Sequence, residues 1–212
     1  MGRVEAENQV VVDLYSGIGY YTMPFLVHAK AAIVHAFEWN INSVASLIVN
    51  LAMAGVAKER CVLHYGDNNL AVFGTPSMAS VESSSELPID NYVGYTVRNV
   101  AGETQDVLVK WASELTDVAD RVCLGLLPCS RGGWEAAVRV LNRKGGILHV
   151  HYNVNTADIP RWVDEMCATF TQLFAKRGKA MIVECTHVEK VKSYAPRVHH
   201  IVADVKCHPL VE

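Results

Sequence analysis

The segment Asp13 to Thr22, DLYSGIGYYT, contains the residues whose types and spacing point most directly to chemistry. It follows the apolar residues 10–12 and places turn glycines at Gly17 and Gly19. In open α/β sheets, a strand, glycine turn and helix in this order bring the backbone close to a nucleotide-like ligand. A dinucleotide site would have a third glycine where Thr22 stands. The spacing therefore favours a nucleoside cofactor over a dinucleotide.

Carboxylates also stand at the ends of successive apolar runs. Asp13 ends the first run and could accept from an ammonium group or orient the turn. Glu38 ends the second, 19 residues after Gly19, where a carboxylate can accept from ribose hydroxyls. Asp67, with Asn68 beside it, ends the third and could accept from an adenine amino group. A cofactor with an amino-acid tail, a ribose and an adenine fits this order, which predicts S-adenosyl-L-methionine.

The predicted cofactor-binding residues comprise the glycine turn, the strand-end polar groups and the loop after the fourth strand. They are Asp13, Tyr15, Ser16, Gly17, Gly19, Glu38, Trp39, Asp67, Asn68, Leu126 and Pro128. In that loop, Leu126 to Ser130 (LLPCS), no Asn or Asp stands where enzymes that methylate amino nitrogens often have one. The loop therefore lacks an Asn or Asp side-chain acceptor for the N–H of a nitrogen nucleophile, which makes such a nucleophile less favoured. We assign no catalytic residue.

Four further residues are candidates for contact with the substrate: Ser130, His151, Lys192 and Tyr194. Lys192 could hold a phosphate, and Tyr194 could stack on a base. We expect His149 to be structural and to point to the opposite face of its strand from His151, so that the two do not share a metal ion. The remaining histidines lack metal-ligand spacing with cysteines, and no metal site is predicted.

Strand-like and helix-like runs alternate along the chain. Strands are predicted at 10–14, 32–37, 61–65, 122–127 and 147–152, helices at 21–28, 41–54, 134–141 and 159–175, and a closing antiparallel hairpin at 180–191 and 198–205. Asp158 is the expected N-cap of the last helix. Repeated β-α-β units predict an α/β fold with a seven-stranded, mostly parallel sheet. The segment at about 69–118 breaks this rhythm, and we expect it to be an insertion formed by a Ser-rich loop and a β-hairpin.

Composition limits the class of protein. The 212 residues are 50% hydrophobic and 19% charged, which predicts a single globular domain over 1–212. No long apolar stretch, no secretory signal and no CxxC pair are present, so we expect a cytoplasmic protein with reduced thiols and no membrane span. The net charge of −3 argues against a nucleic-acid binder. However, the balance is −8 over residues 1–120 and +5 over 121–212, which leaves room for a phosphate-binding face.

Six segments in one order resemble a known family: VVVDLYSGIGYYTMPFLVHA, FEWN, GDNN, LGLLPCS, GGILHVHYNV and VKSYAP..HHIVADV. They are similar to the tRNA wybutosine-synthesising aminocarboxypropyltransferases, which are related to the tRNA (guanine-37) methyltransferases. The resemblance implies a class I S-adenosylmethionine-dependent methyltransferase-like (Rossmann-like) fold. It also implies transfer of the 3-amino-3-carboxypropyl group of the cofactor to the modified guanine beside the anticodon of phenylalanine tRNA. Attack on that group's γ-carbon releases methylthioadenosine.

Alternatives stay open at the level of the sequence. A tRNA (guanine-37) N-methyltransferase would have the same fold and would release S-adenosylhomocysteine, and a non-catalytic cofactor-binding module would transfer nothing. A nicotinamide dehydrogenase is disfavoured by Thr22. The chain also departs from the family: the N-terminal tRNA-binding region is expected to be absent, Cys129 stands where Ser is usual, and the segment after Asn155 looks shorter.

Overall fold

The computed structural model describes residues 4–68 and 115–210 with their side chains, and residues 92–98 and 104–111 as backbone. The chain divides into two compact units, Met1–Leu115 and Thr116–Glu212, which we call the N-terminal and C-terminal units. The single-domain organisation and the boundaries of the insertion stay predictions.

The N-terminal unit alternates strands and helices as predicted. Its elements are β1 (Val10–Asp13), α1 (Thr22–Val27), β2 (Ile33–Glu38), α2 (Ile41–Met53), β3 (Cys61–Tyr65), β4 (Tyr92–Arg98) and β5 (Thr104–Trp111). Strand β2 pairs in parallel with β1 on one side and with β3 on the other. The carboxyl ends of these three strands therefore lie at one edge, where the sequence places Asp13, Glu38 and Asp67.

The hairpin predicted within the segment 69–118 is confirmed. Strands β4 and β5 pair antiparallel, from Tyr92 opposite Lys110 to Arg98 opposite Thr104. Strand β5 also pairs in parallel with β3, so the hairpin extends the sheet of this unit beyond β3. The Ser-rich loop predicted before the hairpin lies outside the described residues.

The C-terminal unit contains the remaining parallel strand pair and the closing hairpin. Its elements are β6 (Arg121–Leu124), α3 (Trp134–Val140), β7 (Gly146–Asn155), α4 (Ile159–Lys176), β8 (Met181–Ala195) and β9 (Val198–Pro209). Strands β6 and β7 are parallel, whereas β9 pairs antiparallel with both β7 and β8. The predicted antiparallel hairpin is therefore confirmed, and β8 is longer than expected because it continues to Ala195.

Aromatic pairs pack the two helices of the C-terminal unit against each other and against its sheet. Trp134 of α3 stacks on Phe170 of α4, with ring centroids 4.6 Å apart, and Tyr152 of β7 stacks on Trp162 of α4 at 5.0 Å. Helix α4 begins after Asp158, as predicted, but the Asp158 side chain makes no capping hydrogen bond. It lies instead 3.8 Å from the guanidinium of Arg161.

Within the part of the chain that is described, none of the helices has both the length and the apolarity needed to cross a membrane.

Candidate functional site

The glycine turn after β1 is built around two glycines with positive φ angles. Gly17 has φ of +54° and Gly19 has φ of +106°. A Cβ atom on Gly19 would lie 2.7 Å from Cδ1 of Leu47 in α2 and 2.9 Å from Cγ of Met23 in α1, whereas a Cβ on Gly17 would meet nothing within 4 Å. Gly19 thus allows close packing of the helices on the turn, and Gly17 leaves open space beside the backbone.

The buried carboxylate of Asp13 forms hydrogen bonds with residues of the glycine turn. Its carboxylate is fully buried and accepts from the Thr22 hydroxyl at 2.8 Å and from the backbone N–H of Tyr15 at 3.3 Å. Burial raises the pKa of Asp13 to about 6, against the opposing effect of these hydrogen bonds. Of the two predicted roles, this geometry supports orientation of the turn. Thr22, which the sequence presented only as a missing glycine, is part of the same hydrogen-bonded unit.

Glu38 connects the end of β2 to the glycine turn. One carboxylate oxygen accepts from the N–H of Gly17 at 2.9 Å, and the other accepts from the N–H of Asn40 at 2.8 Å. Each oxygen keeps a further lone pair that can accept from a ligand hydroxyl. Next to Glu38, the ring of Trp39 is 72% exposed. An exposed indole beside a strand-end carboxylate is the arrangement that a ribose and a planar base would use.

The polar pair after β3 differs in burial. Asp67 is exposed, whereas Asn68 is buried and donates through Nδ2 to the carbonyl of Leu14. Among the described residues, Oδ1 of Asn68 has no hydrogen-bond partner although it is buried. A buried acceptor without a partner costs about 1–3 kcal/mol, so its presence at this edge indicates a place for a ligand donor.

The remaining residues of the turn are placed by local packing. Ser16 is buried and donates through its hydroxyl to the carbonyl of Phe37, while Tyr15 is partly exposed. Asn50 of α2 donates to the carbonyl of Ile18 at 2.8 Å and so ties that helix to the turn. Tyr20, which the sequence did not place in the cofactor set, is 79% exposed on this turn.

In the C-terminal unit, the loop after β6 lies alongside the end of β7. Leu126 and Pro128 are both exposed on this loop, and the Leu127–Pro128 peptide is cis. The carbonyl of Pro128 accepts from the N–H of Asn153 at 3.0 Å. The loop is therefore fixed beside the carboxyl end of β7.

Two of the four substrate candidates are placed in the interior, which argues against direct contact with a substrate. Ser130 is fully buried, and its hydroxyl donates to the carbonyl of His151. His151 is 1% exposed and lies with its Nδ1 3.0 Å from Nε2 of His200. Burial, together with His200, lowers the pKa of His151 to about 3, so the ring is neutral. The contacts shown for these side chains lie within the unit: Ser130 joins the loop after β6 to β7, and His151 joins β7 to β9.

The expectation that His149 and His151 point to opposite faces was wrong, because residues two apart in a strand lie on the same face. His149 contacts Asp204, with 2.7 Å between Nδ1 and Oδ1, which confirms its structural role. Within the described residues, no cluster of three or more His, Cys, Asp or Glu side chains could hold a metal ion.

The other two substrate candidates lie at the free end of the β8–β9 hairpin. Lys192 is exposed and the Tyr194 ring is 63% exposed. Their side chains are thus available to a ligand of the C-terminal unit, in contrast to Ser130 and His151.

The fold of this chain is that of the class I S-adenosylmethionine-dependent methyltransferases, a Rossmann-like fold with a terminal antiparallel hairpin. The structure of TYW2 from P. horikoshii in complex with MeSAdo matches 98% of this chain and 60% of its own length, with a TM-score of 0.67 at 23% identity. Trm5b from Pyrococcus abyssi matches 97% of this chain and 46% of its own, with a TM-score of 0.63 at 22% identity.

Comparison of sequences shows which members of this class the chain resembles. Residues 1–72 match the family model described as the TRM5/TYW2 methyltransferase domain. The tRNA wybutosine-synthesizing protein 2/3/4 of Arabidopsis thaliana is 38% identical over 98% of this chain, which spans 16% of that protein. The tRNA wybutosine-synthesizing protein 2 homolog of Mus musculus is 34% identical over 99% of this chain, which spans 48% of it. The predicted resemblance to the wybutosine-synthesising family is thereby confirmed, over a region that is at most about half of either relative.

Proposed function

We propose that this chain uses S-adenosyl-L-methionine to transfer a 3-amino-3-carboxypropyl group to tRNA during wybutosine biosynthesis. The acceptor in this proposal is the modified guanine beside the anticodon of phenylalanine tRNA. The observation that carries the proposal is the similarity to tRNA wybutosine-synthesizing protein 2 from plant and mouse over nearly the whole chain. Because those proteins are longer, their activity, substrate and partners come to this chain as proposals.

The residues of the N-terminal unit fit the cofactor. Glu38 would accept from the ribose hydroxyls with the lone pairs that Gly17 and Asn40 leave free. The buried Oδ1 of Asn68 would accept from an amino group of the adenine, and Trp39 would cover the base with its exposed ring. The open space beside Gly17 would allow the ligand to lie close to the backbone of the turn. Tyr15, Ser16, Gly19 and Asp67 complete this set.

Asp13 has a different role in the proposal. Since its carboxylate is fully buried and accepts from Thr22 and Tyr15, it would position the turn rather than bind the ammonium group. Leu126 and Pro128, exposed on the loop after β6, are the cofactor contacts proposed for the C-terminal unit.

When bound, S-adenosyl-L-methionine supplies a sulfonium with three electrophilic carbons, and the carbon in line with the nucleophile is transferred. The chain would therefore have to orient the cofactor and the acceptor base relative to each other and to exclude other acceptors. No side chain of the described residues needs to remove a proton before an electron-rich ring carbon attacks, so positioning is the contribution that we assign to this chain.

The identity of the adenosine by-product tests the proposal. The chain would be incubated with S-adenosyl-L-methionine and hypomodified phenylalanine tRNA, and the by-product identified by mass spectrometry. We expect methylthioadenosine together with a mass increase of the tRNA. Fully modified tRNA is the matched substrate control, and Glu59→Gln, an exposed change in the same unit, is the control for Glu38→Gln, which should lose cofactor affinity.

A second function has specific support. The matching family model covers both TRM5 and TYW2, and the structure of Trm5b has a similar fold. Release of S-adenosylhomocysteine, with a methylated guanine in the tRNA, would replace the proposed activity with tRNA (guanine-37) N-methylation. Cofactor binding without any by-product would favour the non-catalytic module.

A further inference from the structure

The N-terminal unit contains a second cavity, at the edge of its sheet opposite to the glycine turn. It has a volume of about 490 Å³, which is within the range of small-ligand pockets. Asn8 lies just before β1 and Ala32 just before β2, so the cavity is at the amino ends of these strands, whereas Glu38 stands at a carboxyl end. None of the predicted cofactor-binding residues lines it. Its polar and charged lining consists of Glu7, Asn8, Lys30 and Arg60.

Arg60 places a fixed guanidinium beside this cavity. Its Nη2 donates to the carbonyls of Leu26 at 2.9 Å and Ala31 at 2.6 Å, and the side chain is partly exposed. Among the described residues, no hydrogen-bond partner is present for its Nε and Nη1. A guanidinium anchored at one nitrogen keeps donors for the oxygens of a phosphate and loses little side-chain freedom when it binds one.

Lys30 adds a second cation in an unfavourable backbone conformation. Its φ angle is +55°, in the left-handed region, and that of the adjacent Asn8 is +61°. The N–H of Asn8 donates to the carbonyl of Lys30 at 3.3 Å, which holds the two turns together. Glycine or asparagine adopts this conformation at lower cost than lysine, and strained residues cluster at ligand sites. A lysine in such a position therefore indicates a use for its charge.

Positive charge in residues 4–68 is confined to this region. The Lys and Arg residues of that range are Lys30, Lys58 and Arg60, and Lys58 and Arg60 bound one short 3-10 turn. Over residues 1–120 the charge balance is −8, so the cluster stands in an acidic part of the chain. Glu7, also in the cavity lining, supplies an acceptor beside the cations. The lining therefore suits a ligand that has an anionic group and a hydroxyl close together.

The helix ends at the cavity do not prevent an anion from binding. Helices α1 and α2 both end here, and the partial negative charge of a helix carboxyl end disfavours anions. The last carbonyls are, however, already hydrogen-bonded. That of Leu26 accepts from Arg60, and that of Leu51 accepts from the N–H of Val56. The repulsion that remains is therefore small beside the charges of Lys30 and Arg60.

We infer that this cavity binds a ribonucleotide through its phosphate, at a site separate from the proposed S-adenosylmethionine region. Lys30 and the free nitrogens of Arg60 bind the phosphate, and the carboxylate of Glu7 accepts from a ribose hydroxyl. Val27 and Val56 form an apolar wall for the base. The ligand is either a free mononucleotide or one nucleotide of an RNA, because the phosphate and ribose are the same in both. The inference does not depend on which group the chain transfers.

Replacement of Lys30 by asparagine separates the charge from the backbone. Asparagine adopts a left-handed φ more readily than lysine, so Lys30→Asn should keep or raise the thermal midpoint of unfolding. Binding of UMP is titrated by calorimetry with S-adenosylhomocysteine present, so that the cofactor region is occupied. We expect saturable binding to the unsubstituted chain, weakened at least about 10-fold in Lys30→Asn, as for a lost hydrogen bond between charged groups. Lys30→Gly, which also suits this backbone, is a second variant.

Lys58→Asn is the matched control. Lys58 is exposed and close to the cavity but does not line it, so this variant removes the same charge and should change UMP affinity by less than about 2-fold. A short oligouridylate distinguishes the two sources of the ligand. Displacement of UMP by this RNA, with the same dependence on Lys30, would identify a nucleotide of an RNA, and UMP binding without displacement would identify a free nucleotide.

Four outcomes would overturn the inference. They are the absence of both UMP and RNA binding, unchanged affinity in Lys30→Asn, an equal loss in Lys58→Asn, and inorganic phosphate that binds as tightly as UMP, which would leave a bare anion site. Lys30→Asn should not alter S-adenosylmethionine binding. The proposed function fails separately, through the adenosine by-product, so a chain that binds UMP but releases S-adenosylhomocysteine would keep this inference and lose the aminocarboxypropyl transfer.

Discussion

At the scale of single residues, the two glycines of the turn after β1 have separate tasks. Gly19 packs against Leu47 and Met23, whereas Gly17 faces open space. Both have positive φ angles, but only the left-handed conformation of Gly17, at +54°, is one that alanine adopts for about 1 kcal/mol. The same chemical change at these positions should therefore have different consequences.

We expect Gly17→Ala to lower stability by about 1 kcal/mol and to weaken S-adenosylmethionine binding at least 10-fold, because the methyl group enters the space assigned to the ligand. Gly19→Ala should destabilise by about 2–3 kcal/mol, because its Cβ would overlap Leu47. Urea unfolding and calorimetric titration measure the two effects. Equal loss of stability in both variants would contradict the division of roles.

Asp13 gives the N-terminal unit a predictable dependence on pH. Burial raises its pKa to about 6 from 3.8, so the folded chain holds a proton on this carboxyl more tightly than the unfolded chain does. By linkage, the free energy of unfolding contributed by Asp13 falls as pH rises from about 4 to about 6 and is constant above that. The size of the change is on the order of 3 kcal/mol, from about 1.4 kcal/mol per pKa unit.

Asp13→Asn removes this titration. The difference in unfolding free energy between the unsubstituted chain and the variant should be larger at pH 4 than at pH 7, since the charged carboxylate is the less favoured form in the folded state. Urea unfolding at several pH values between 4 and 8 measures the difference. Asp158→Asn, at an exposed position, is the control, and parallel curves for the Asp13 variant would refute the assignment.

At the scale of elements, a buried lysine joins three segments of the C-terminal unit. Lys179 follows α4, is 5% exposed, and donates to the carbonyls of Val138 and Leu141 at the end of α3. It also forms an ion pair with Asp117. Lys179 thus satisfies carbonyls that the end of α3 leaves without helical partners.

Lys179→Met should lower the free energy of unfolding by about 3 kcal/mol, because it leaves two carbonyls and one oxygen of the Asp117 carboxylate without the buried ammonium, while Arg143 still pairs with the other oxygen. Lys176→Met, exposed at the end of α4, should change stability by less than about 0.5 kcal/mol. Urea unfolding of both variants checks this. If Lys179→Met were as stable as Lys176→Met, the prediction would be contradicted. The packing of the methionine side chain would then compensate for the lost hydrogen bonds and ion pair.

The helices and strands were predictable from the sequence wherever a regular spacing of apolar residues marks the buried face of the element. Helix α2 follows its apolar spacing and begins and ends within one residue of the prediction, and β3 matches it at both ends. Strand β8 was underestimated because its polar stretch from 192 to 195 is held by cross-strand pairing with β9, with register shifts that a sequence pattern does not contain. Long-range pairing, and not local preference, sets such boundaries.

The site was predictable to the same extent. The sequence located the strand-end groups Glu38 and Asn68 because parallel strands share an edge. It could not show that Ser130 and His151 are buried, since their burial depends on the loop after β6 running along β7.

At the scale of the whole molecule, charge is distributed unevenly. Residues 1–120 contain 6 Lys and Arg against 14 Asp and Glu, whereas residues 121–212 contain 13 against 8. Exposed Lys190, Lys192 and Arg197 stand near the turn of the β8–β9 hairpin, with Tyr194 among them. A chain of net charge −3 would therefore bind tRNA phosphates through a local surface, and this hairpin combines exposed basic side chains with the exposed ring of Tyr194.

Phosphate contacts at the hairpin predict how tRNA affinity depends on salt. Each phosphate neutralised contributes close to one unit to the slope of log K against log salt concentration. Replacing Lys192 and Arg197 together by Gln should weaken tRNA binding by roughly 10-fold at 0.1 M salt and make the slope shallower by about 1–2 units. Filter binding between 50 and 300 mM KCl measures both quantities. Lys176→Gln with Lys206→Gln removes the same charge elsewhere in the C-terminal unit; if that pair changed the slope as much, the effect would come from net charge, and the hairpin would have no special part in binding.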